Sequence, residues 1–264
     1  MAKPNYDAPA VRNAVRLIEL LADSDKPMGV AEICKALDLN NNMVFRLLKT
    51  LEDSAWVVKG MPGPKYSLGL RLFHHAIKPV RRMSLKQAAR EPLETLWAET
   101  GESCYLGIKD GTRTLFLDHY DSRQSVRMTA QPGGRFLMHC AAPGKALLAY
   151  SRLNEVAEVI RAEGLPQQTR NTIHTATALK SELEKIRRNG FALDIEEYSQ
   201  GLLCYAVPIL NHDGELVGTV GLSVLTIHYN LDQLITKLGP KVNEVGREIS
   251  SRLGYVGEFP PAGK

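Results

Sequence analysis

The chain has 264 residues, of which 44% are hydrophobic and 23% charged, a composition typical of a globular protein with room for two domains. It contains no signal-peptide pattern and no apolar run near the roughly 20 residues of a membrane helix, so we expect a cytoplasmic protein without membrane contact. The cysteines form no C-x-x-C pair, which argues against disulfides and a zinc ribbon: Cys34, Cys104, Cys140 and Cys204. We therefore expect neither a metal nor a cofactor.

Positive charge is concentrated in the amino-terminal third. Residues 1–90 carry 15 Lys and Arg against 8 Asp and Glu, a net charge of +7, and the remainder carries 18 against 21, a net charge of −3. Between Met43 and Arg90, ten basic residues accompany only two acids, Glu52 and Asp53. This distribution is typical of a surface that contacts nucleic-acid phosphates, although a solvated basic face would carry the same charge.

Three helices are predicted at the start of the chain. The first runs from about Pro9 to Ala22 and repeats apolar residues at helical spacing. The next two are short and follow the same spacing, the second at Val30, Ile33, Cys34 and Leu37, the third at Val44, Leu47, Leu48 and Leu51. Only residues 38–40 separate them, with Asn40 or Asn41 able to cap the third helix. This geometry is that of a helix-turn-helix.

The polar face of the third helix carries the residue types of a DNA-recognition helix. Asparagine bonds adenine edges, arginine binds guanine or phosphate, an aromatic ring or methionine touches a thymine methyl, and lysine suits the backbone. An ordinary polar surface helix would explain this face except for an exposed Phe45. We expect DNA contacts from this helix and from one lysine beyond it: Asn41, Asn42, Met43, Phe45, Arg46, Lys49 and Lys65.

A wing is predicted next. Two short strands, Trp56 to Lys59 and Lys65 to Leu68, flank a Gly/Pro turn at residues 60–64 whose only bulky member is Met61. Because a lysine stands on each side of the turn, the wing can lie along a phosphate backbone or a minor groove.

The remaining two thirds mix helical and strand patterns. A connecting helix is expected around residues 70–77, broken near Pro79, then a helical stretch to about Thr100 in which Pro92 should produce a kink or a restart. Strands are expected at residues 103–109, 115–119, 126–129, 203–209 and 216–225, the last two joined by an Asp213-Gly214 turn. Helices are expected at residues 144–150, 155–162, 177–189 and 232–253. This mixture indicates an α+β domain with an antiparallel sheet.

Several motifs together resemble the isocitrate-lyase-regulator (IclR) family of bacterial transcription factors. In the first third they are Val30-Ala31-Glu32-Ile33, Val44-Phe45-Arg46-Leu47-Leu48 and Lys65-Tyr66-Ser67-Leu68-Gly69. The family usually has a Lys-Ser-Thr-like triplet where this chain has Asn41-Asn42-Met43, and Tyr or His in place of Phe45. That departure concerns the operator sequence and leaves the fold resemblance intact.

The resemblance continues to the end of the chain. Its further landmarks are residues 139–146, beginning His139-Cys140-Ala141-Ala142-Pro143, then residues 190–197, 201–209 and 221–223. It implies a winged helix-turn-helix at residues 8–73, a linker helix at 74–87 and a GAF-like effector-binding domain at 88–258. It also implies a homodimer or a dimer of dimers that binds double-stranded operator DNA and a small-molecule effector.

The effector site is expected where a loop of small residues enters a helix. Free backbone N–H groups near Pro143 can receive a carboxylate. The resemblance places the following residues at this site: His139, Cys140, Ala141, Ala142, Pro143, Asp194, Cys204 and Ser223. Each of the last three has a structural alternative, Cys204 as a small core residue, Ser223 as a bonded strand hydroxyl and Asp194 as a turn or cap residue.

We therefore expect a non-enzymatic repressor whose operator binding is modulated by an organic or sugar acid. A hydrolase is the alternative from another class, because His139, Asp194 and Cys204 are the residue types of a Cys/His/Asp triad. No nucleophile-elbow motif or phosphate loop accompanies them, and an enzyme would leave the basic third unexplained. A winged-helix module for protein interaction is a third possibility.

Overall fold

A computed structural model describes residues 8–60, 63–72, 74–75, 84–129 and 132–261. The chain divides into two compact units, residues 1–82 and 83–264. Several sequence-predicted positions lie outside the described residues: Met61 in the wing turn, and Phe73, Ala76, Ile77, Arg81 and Arg82 of the linker region. Of the linker predicted at residues 74–87, the last three residues open a long helix of the second unit.

The first unit is a small helical domain with a three-stranded antiparallel sheet. Its elements are α1 (Pro9–Ala22), β1 (Met28–Gly29), α2 (Val30–Leu37), α3 (Asn41–Asp53), β2 (Val57–Gly60) and β3 (Lys65–Leu68). The strands lie in the order β1-β3-β2, and β1 is too short to have left a pattern in the sequence. The apolar faces of the three helices meet in one core, which includes Leu17, Ile33, Val44, Leu48 and Tyr66.

The turn between α2 and α3 has the geometry expected of a helix-turn-helix. Asp38 ends α2 in the left-handed conformation, with φ at 54°, and residues 38–40 form the whole link. The Asn40 side chain accepts a hydrogen bond of 2.9 Å from the Met43 N–H, so Asn40 caps α3. The Arg16 guanidinium donates to the Leu37 carbonyl oxygen at 2.9 Å and fastens α1 to the end of α2. The predicted three-residue link is confirmed.

The second unit contains a six-stranded antiparallel sheet with helices on both faces. Its elements are α4 (Leu85–Thr100), β4 (Ser103–Asp110), β5 (Arg113–Tyr120), β6 (Arg135–Leu137), α5 (Ala142–Ala149), α6 (Leu153–Glu163), α7 (Ala176–Asn189), β7 (Ala192–Ile195), β8 (Leu202–Leu210), β9 (Leu216–Leu225), α8 (Leu231–Gln233), a π-helical turn (Leu234–Leu238) and α9 (Gly239–Arg252). The strand order is β6-β5-β4-β9-β8-β7.

Alternate residues of the central strands serve two separate cores. On β8, Tyr205 and Val207 point to one face and join residues of α4 and α9. Cys204 and Ala206 point to the other face and join residues of α5, α6 and α7. All nine residues of β8 are buried, as expected for a strand covered by helices on both sides.

One predicted strand of the second unit is wrong. No strand forms at residues 126–129, although the pattern alternates, and Val126 stays 59% exposed. The free edge of β5 is paired instead with β6, through Arg113 opposite Leu137. Of the two outcomes expected at Pro92, a kink or a restart, the restart does not occur, because α4 continues through this buried residue to Thr100 and is capped by Gly101. Burial of its apolar face outweighs the backbone hydrogen bond that a proline removes.

Candidate DNA-binding and ligand-binding sites

Helix α3 has a core face and an exposed face. Val44, Leu47, Leu48 and Leu51 are buried, whereas the opposite side carries exposed Asn41, Asn42, Phe45, Arg46 and Lys49. Phe45 is 58% exposed, so the solvent exposure predicted for this aromatic ring is confirmed. Met43 differs from the other predicted contacts, because it is half-buried and packs against the core of the unit. The outer face therefore combines amide, guanidinium, ammonium and aromatic groups on one rigid element.

The charged groups of this face, Lys49 and Arg46, differ in whether they form ion pairs with neighbouring carboxylates. The Lys49 ammonium lies 2.9 Å from an Asp53 carboxylate oxygen and 3.7 Å from one of Glu52, with both partners partly exposed. The hydrogen bond with Asp53 raises the pKa of Lys49 above its ordinary value. Within the part of the chain that the structure describes, Arg46 has no ion-pair partner. Arg46 is thus the guanidinium that can bind DNA without first breaking an ion pair.

The wing lies directly after α3 in the chain. Strands β2 and β3 pair in antiparallel register, with Lys59 opposite Tyr66 and Gly60 opposite Lys65. Lys59 and Lys65 are exposed, whereas Tyr66 is buried in the core of the unit. The two strands therefore present a lysine on each side of the turn, as the sequence predicts.

The second unit contains a cavity on the α5 side of its sheet. Its unfilled volume is about 390 Å³, including the space at its opening. It is lined by residues from several strands, loops and the start of α5: Ser103, Tyr105, Phe116, His119, Met128, Phe136, Ala141, Pro143, Asp194, Tyr198, Leu202, Cys204 and Ser223. Five of the eight residues expected at an effector site lie on this wall, and they come from the start of α5 and from three adjacent strands.

The polar groups of the cavity form a row across four strands. Asp194 of β7 lies opposite Cys204 of β8, which lies opposite Ser223 of β9, which lies opposite Ser103 of β4. Residues paired in this way project on the same face of a sheet. The Cys204 sulfur and the Ser223 hydroxyl oxygen are 3.1 Å apart. Antiparallel pairing thus gathers side chains that stand 120 positions apart in the chain.

Asp194 has one engaged and one free oxygen. Its Oδ1 accepts hydrogen bonds from the backbone N–H groups of Glu197 at 2.7 Å and Tyr198 at 3.2 Å, so the residue does cap a turn. Its Oδ2 is buried and has no hydrogen-bond partner among the described residues. Burial raises the pKa of this carboxyl to about 7, and the nearby Glu197 carboxylate adds to the rise. A buried oxygen on a cavity wall needs a partner, and a ligand hydroxyl would provide one.

A hydrolytic triad is not assembled. The His139 Nε2 atom lies 3.1 Å from the Pro166 carbonyl oxygen, and His139 does not line the cavity. Burial raises the pKa of the Cys204 thiol well above its ordinary value, and the neighbouring Asp194 carboxyl raises it further. The thiolate, which is the nucleophilic form, is therefore disfavoured at this position.

The start of α5 forms one part of the cavity wall. Of the expected residues there, Ala141 and Pro143 line the cavity, whereas His139, Cys140 and Ala142 are buried behind its wall. Gly144 has no room for a side chain, since a Cβ atom would lie 2.3 Å from the Met138 Cα. The chain can fold back tightly here only with glycine, and this contact fixes where the helix begins.

Sequence reasoning missed the aromatic side of the cavity. Tyr105 stacks on Phe116 with ring centres 4.8 Å apart, Phe116 lies 4.5 Å from Phe136, and Phe136 meets Tyr198 edge-on. His119, only 4% exposed, also lines the wall, and burial lowers its pKa. The alternation along β4 and β5 indicates which residues share a face, but only the pairing of strands shows that these rings meet.

Two absences concern the described residues alone. No helix among them combines the length and apolar character needed to cross a bilayer. Nor do their His, Cys, Asp and Glu side chains form a group of three that could hold a metal ion.

A winged helix-turn-helix and a second unit with a cavity walled by polar and aromatic side chains, in one chain, define the class of DNA-binding transcriptional regulators. Comparison with known families identifies the group within this class. The IclR helix-turn-helix domain matches residues 10–60, and the bacterial transcriptional regulator IclR C-terminal domain matches residues 77–251. The chain belongs to the IclR family.

Its relatives have similar lengths. The transcriptional regulator BhcR of Paracoccus denitrificans (strain Pd 1222) is 32% identical over 241 residues, which cover 91% of this chain and 86% of BhcR. The transcriptional repressor AllR of Escherichia coli (strain K12) is 28% identical over 247 residues, 94% of this chain and 91% of AllR. The crystal structure of the repressor BlcR of Agobacterium tumefaciens superposes with a TM-score of 0.83 at 21% identity, covering 95% of this chain and 99% of BlcR. This last likeness is one of fold.

Proposed function

We propose that this IclR-family regulator is a repressor whose affinity for operator DNA changes when a small organic or sugar acid binds in the cavity of the second unit. The observation that carries the proposal is the pairing of two complementary groups at one cavity. The first turn of α5, beside the wall residues Ala141 and Pro143, has backbone N–H groups without intrahelical acceptors, apart from Pro143, which has no N–H; the buried Asp194 Oδ2 has no hydrogen-bond donor among the described residues. A molecule that carries both a carboxylate and a hydroxyl group satisfies both.

The rest of the cavity fits a small ligand of this kind. The Ser103 and Ser223 hydroxyl groups add polar atoms to the wall, and Phe116, Phe136 and Met128 add apolar surface. Such a lining can bind both the polar groups and the carbon skeleton of a ligand.

The DNA-binding part of the proposal rests on α3 and the wing. We assign base contacts to Asn42 and Phe45, phosphate contacts to Lys49 and Lys65, and a contact with either a base or a phosphate to Arg46, with Asn41 and Met43 at the start of the helix. The relative AllR is named a repressor, which supports the same sign of control for this chain. Because a single helix contacts few bases, specific binding in a genome requires two such units, and we propose a homodimer or a dimer of dimers.

The first experiment asks whether the cavity is the effector site. The effector is sought by calorimetry with glycolate, D-lactate and D-gluconate, and with glycerol as the uncharged control. Ser223→Phe fills the cavity and should abolish acid binding while operator affinity of the free protein stays the same. Ser251→Phe adds the same ring at an exposed position of α9 and should change neither. Unchanged acid affinity in Ser223→Phe would place the site elsewhere.

The second experiment asks whether the acid controls DNA binding. Linkage requires that operator DNA change the acid affinity by the same factor by which the acid changes the operator affinity. Couplings of this kind are typically about 5- to 150-fold. Sedimentation of the protein with and without operator DNA measures the assembly in the same samples. A monomer in both, or an acid that binds without any effect on DNA affinity, would contradict the proposal.

A further inference from the structure

A charged cluster lies behind the cavity and is not part of its wall. The Lys145 side chain has no exposed surface, and its ammonium group pairs with the Glu197 carboxylate and lies 3.8 Å from a carboxylate oxygen of Glu182. The Glu197 side chain is only 9% exposed, and its second carboxylate oxygen has no partner among the described residues. An ammonium group held this far from water requires its carboxylate partner, because solvation no longer stabilises the charge.

The ion pair joins the two sides of the cavity. Lys145 belongs to α5, whose first residues, Ala141 and Pro143, form one part of the wall. Glu197 belongs to the turn between β7 and β8, whose neighbours Asp194 and Tyr198 form another part. This buried ion pair therefore links α5 to the turn that carries Asp194 and Tyr198.

Several hydrogen bonds hold the turn that carries Glu197. The Glu197 N–H donates to the Asp194 carboxylate, and the Thr172 hydroxyl donates to the Glu197 carbonyl oxygen at 2.6 Å. Glu196 adopts a positive φ of 54°, and its side chain accepts a hydrogen bond from the Gly201 N–H at 2.7 Å. Any movement of Glu197 must therefore move the Asp194 carboxyl.

We propose that Lys145 is a positioning residue of the cavity: acting through Glu197, it holds the turn of residues 194–198 against α5 and sets the charge that Asp194 presents to a ligand. The inference rests on the proposed function in one respect, that the cavity is the effector site. The coupling between Lys145 and Asp194 exists without any ligand, so it can be measured in the free protein.

The cluster sets the Asp194 charge through two opposing effects. The Glu197 carboxylate raises the pKa of Asp194, and the Lys145 ammonium lowers it, with burial as the largest cause of the rise to about 7. The other titratable groups that interact with this carboxyl belong to four neighbouring segments: Tyr105, Cys140, Tyr198 and Cys204. Burial raises the pKa of each of these four, so they are uncharged where Asp194 titrates. The charges of Lys145 and Glu197 are therefore the ones that shift the pKa of Asp194.

The test is a carboxyl titration of the full-length protein by NMR. The protein is labelled with carbon-13 at the aspartate carboxyls, and Asp194→Asn identifies the resonance of interest. Lys145→Met removes the cation that lowers the pKa of Asp194, but it also removes the partner that keeps the buried Glu197 ionised. Its effect is therefore measured in the Glu197→Gln background, where it should move the Asp194 titration to higher pH. Glu197→Gln should move it to lower pH, because the anion is lost. A purely structural role would admit water in both variants and move both titrations down towards the ordinary aspartate pKa of about 4.

The double variant makes this measurement possible. Lys145→Met with Glu197→Gln leaves no unpaired buried charge, so its fold does not depend on the ion pair. Relative to Glu197→Gln alone, the double variant should titrate Asp194 at higher pH. Equal titrations in these two proteins would overturn the proposal. If they differ but no acid binds to the cavity, the positioning role stands and the proposed effector site fails.

Discussion

The two units of this protein place their functional groups in opposite environments. On α3 the polar groups project into solvent beside an exposed Phe45, and none of them depends on a buried partner. In the second unit, Asp194 and Lys145 have no exposed surface and lie within networks of hydrogen bonds and charge. A DNA reader must be open to a large partner, whereas a small-molecule site gains selectivity by excluding water.

This difference has energetic consequences. An exposed ion pair contributes little to stability because water screens it, and its side chains are free to exchange one partner for another. A buried ion pair contributes little net stability when intact, but losing one partner leaves a charge without solvation. Substitutions of the exposed polar groups of α3 should therefore change binding alone, whereas substitutions of the buried charged groups of the second unit should change binding and folding together.

The largest expected effect contrasts two lysines. Lys145→Met leaves Glu197 buried without its cation and should reduce the free energy of unfolding of the second unit by about 3 to 5 kcal/mol. Lys49→Met, which removes an exposed ion pair with Asp53, should not measurably change the free energy of unfolding of the first unit. Urea unfolding monitored separately for the two units measures both. A similar loss of unfolding free energy in the two variants would show that the exposed and the buried ion pair contribute alike.

The next effect contrasts the two faces of α3. Leu48→Ala removes a residue that is 1% exposed and should cost about 2 to 5 kcal/mol of stability. Phe45→Ala should leave stability unchanged, because its ring is mostly in solvent, and should instead relax the preference for particular DNA sequences. Thermal unfolding and binding to operator and random duplexes separate the outcomes. Equal loss of affinity on both duplexes would show that Phe45 does not read bases.

The same contrast explains how far the sequence alone can predict this protein. The helix-turn-helix follows from short-range patterns, since helical periodicity gives both faces of α3 and Asn40 stands at the cap position. The cavity depends on strand order, which brings Ser103 beside Ser223 and Phe116 beside Phe136. Nothing in the local pattern of residues 126–129 shows that β5 pairs with residues 135–137 instead. Long-range pairing is the information that a single sequence lacks.

A third prediction concerns the pH dependence of stability in the second unit. The pKa of Asp194 is raised to about 7 in the folded protein, so between about pH 4 and 7 the folded state binds more protons than the unfolded state. Stability should therefore fall as the pH rises through this window and change no further above it. Since one pKa unit corresponds to about 1.4 kcal/mol, this contribution is at most about 4 kcal/mol.

Asp194→Asn isolates that contribution. The amide does not titrate, so the difference in unfolding free energy between the variant and the natural protein should grow in favour of the variant from pH 4 to 7. Urea unfolding at a series of pH values measures this difference. A difference that is independent of pH would show that the Asp194 carboxyl is solvated despite its burial, and the contrast between the units would weaken.

The smallest expected effect tests the exposed unit by DNA affinity. Arg46→Ala should weaken operator binding by about 1 to 3 kcal/mol, because Arg46 is free of ion pairs within the described residues and can bind a base or a phosphate directly. Arg161→Ala, at an exposed position of α6 in the second unit, is the matched control and should not change affinity.

The salt dependence of binding shows which DNA group Arg46 contacts. For the natural protein, the logarithm of the binding constant should fall with the logarithm of salt concentration by about 0.9 per phosphate neutralised. If Arg46 contacts a phosphate, its loss should reduce that slope by about one, whereas a base contact should leave the slope intact and change sequence preference. An Arg46→Ala protein with unchanged affinity, slope and preference would show that α3 does not present this face to DNA.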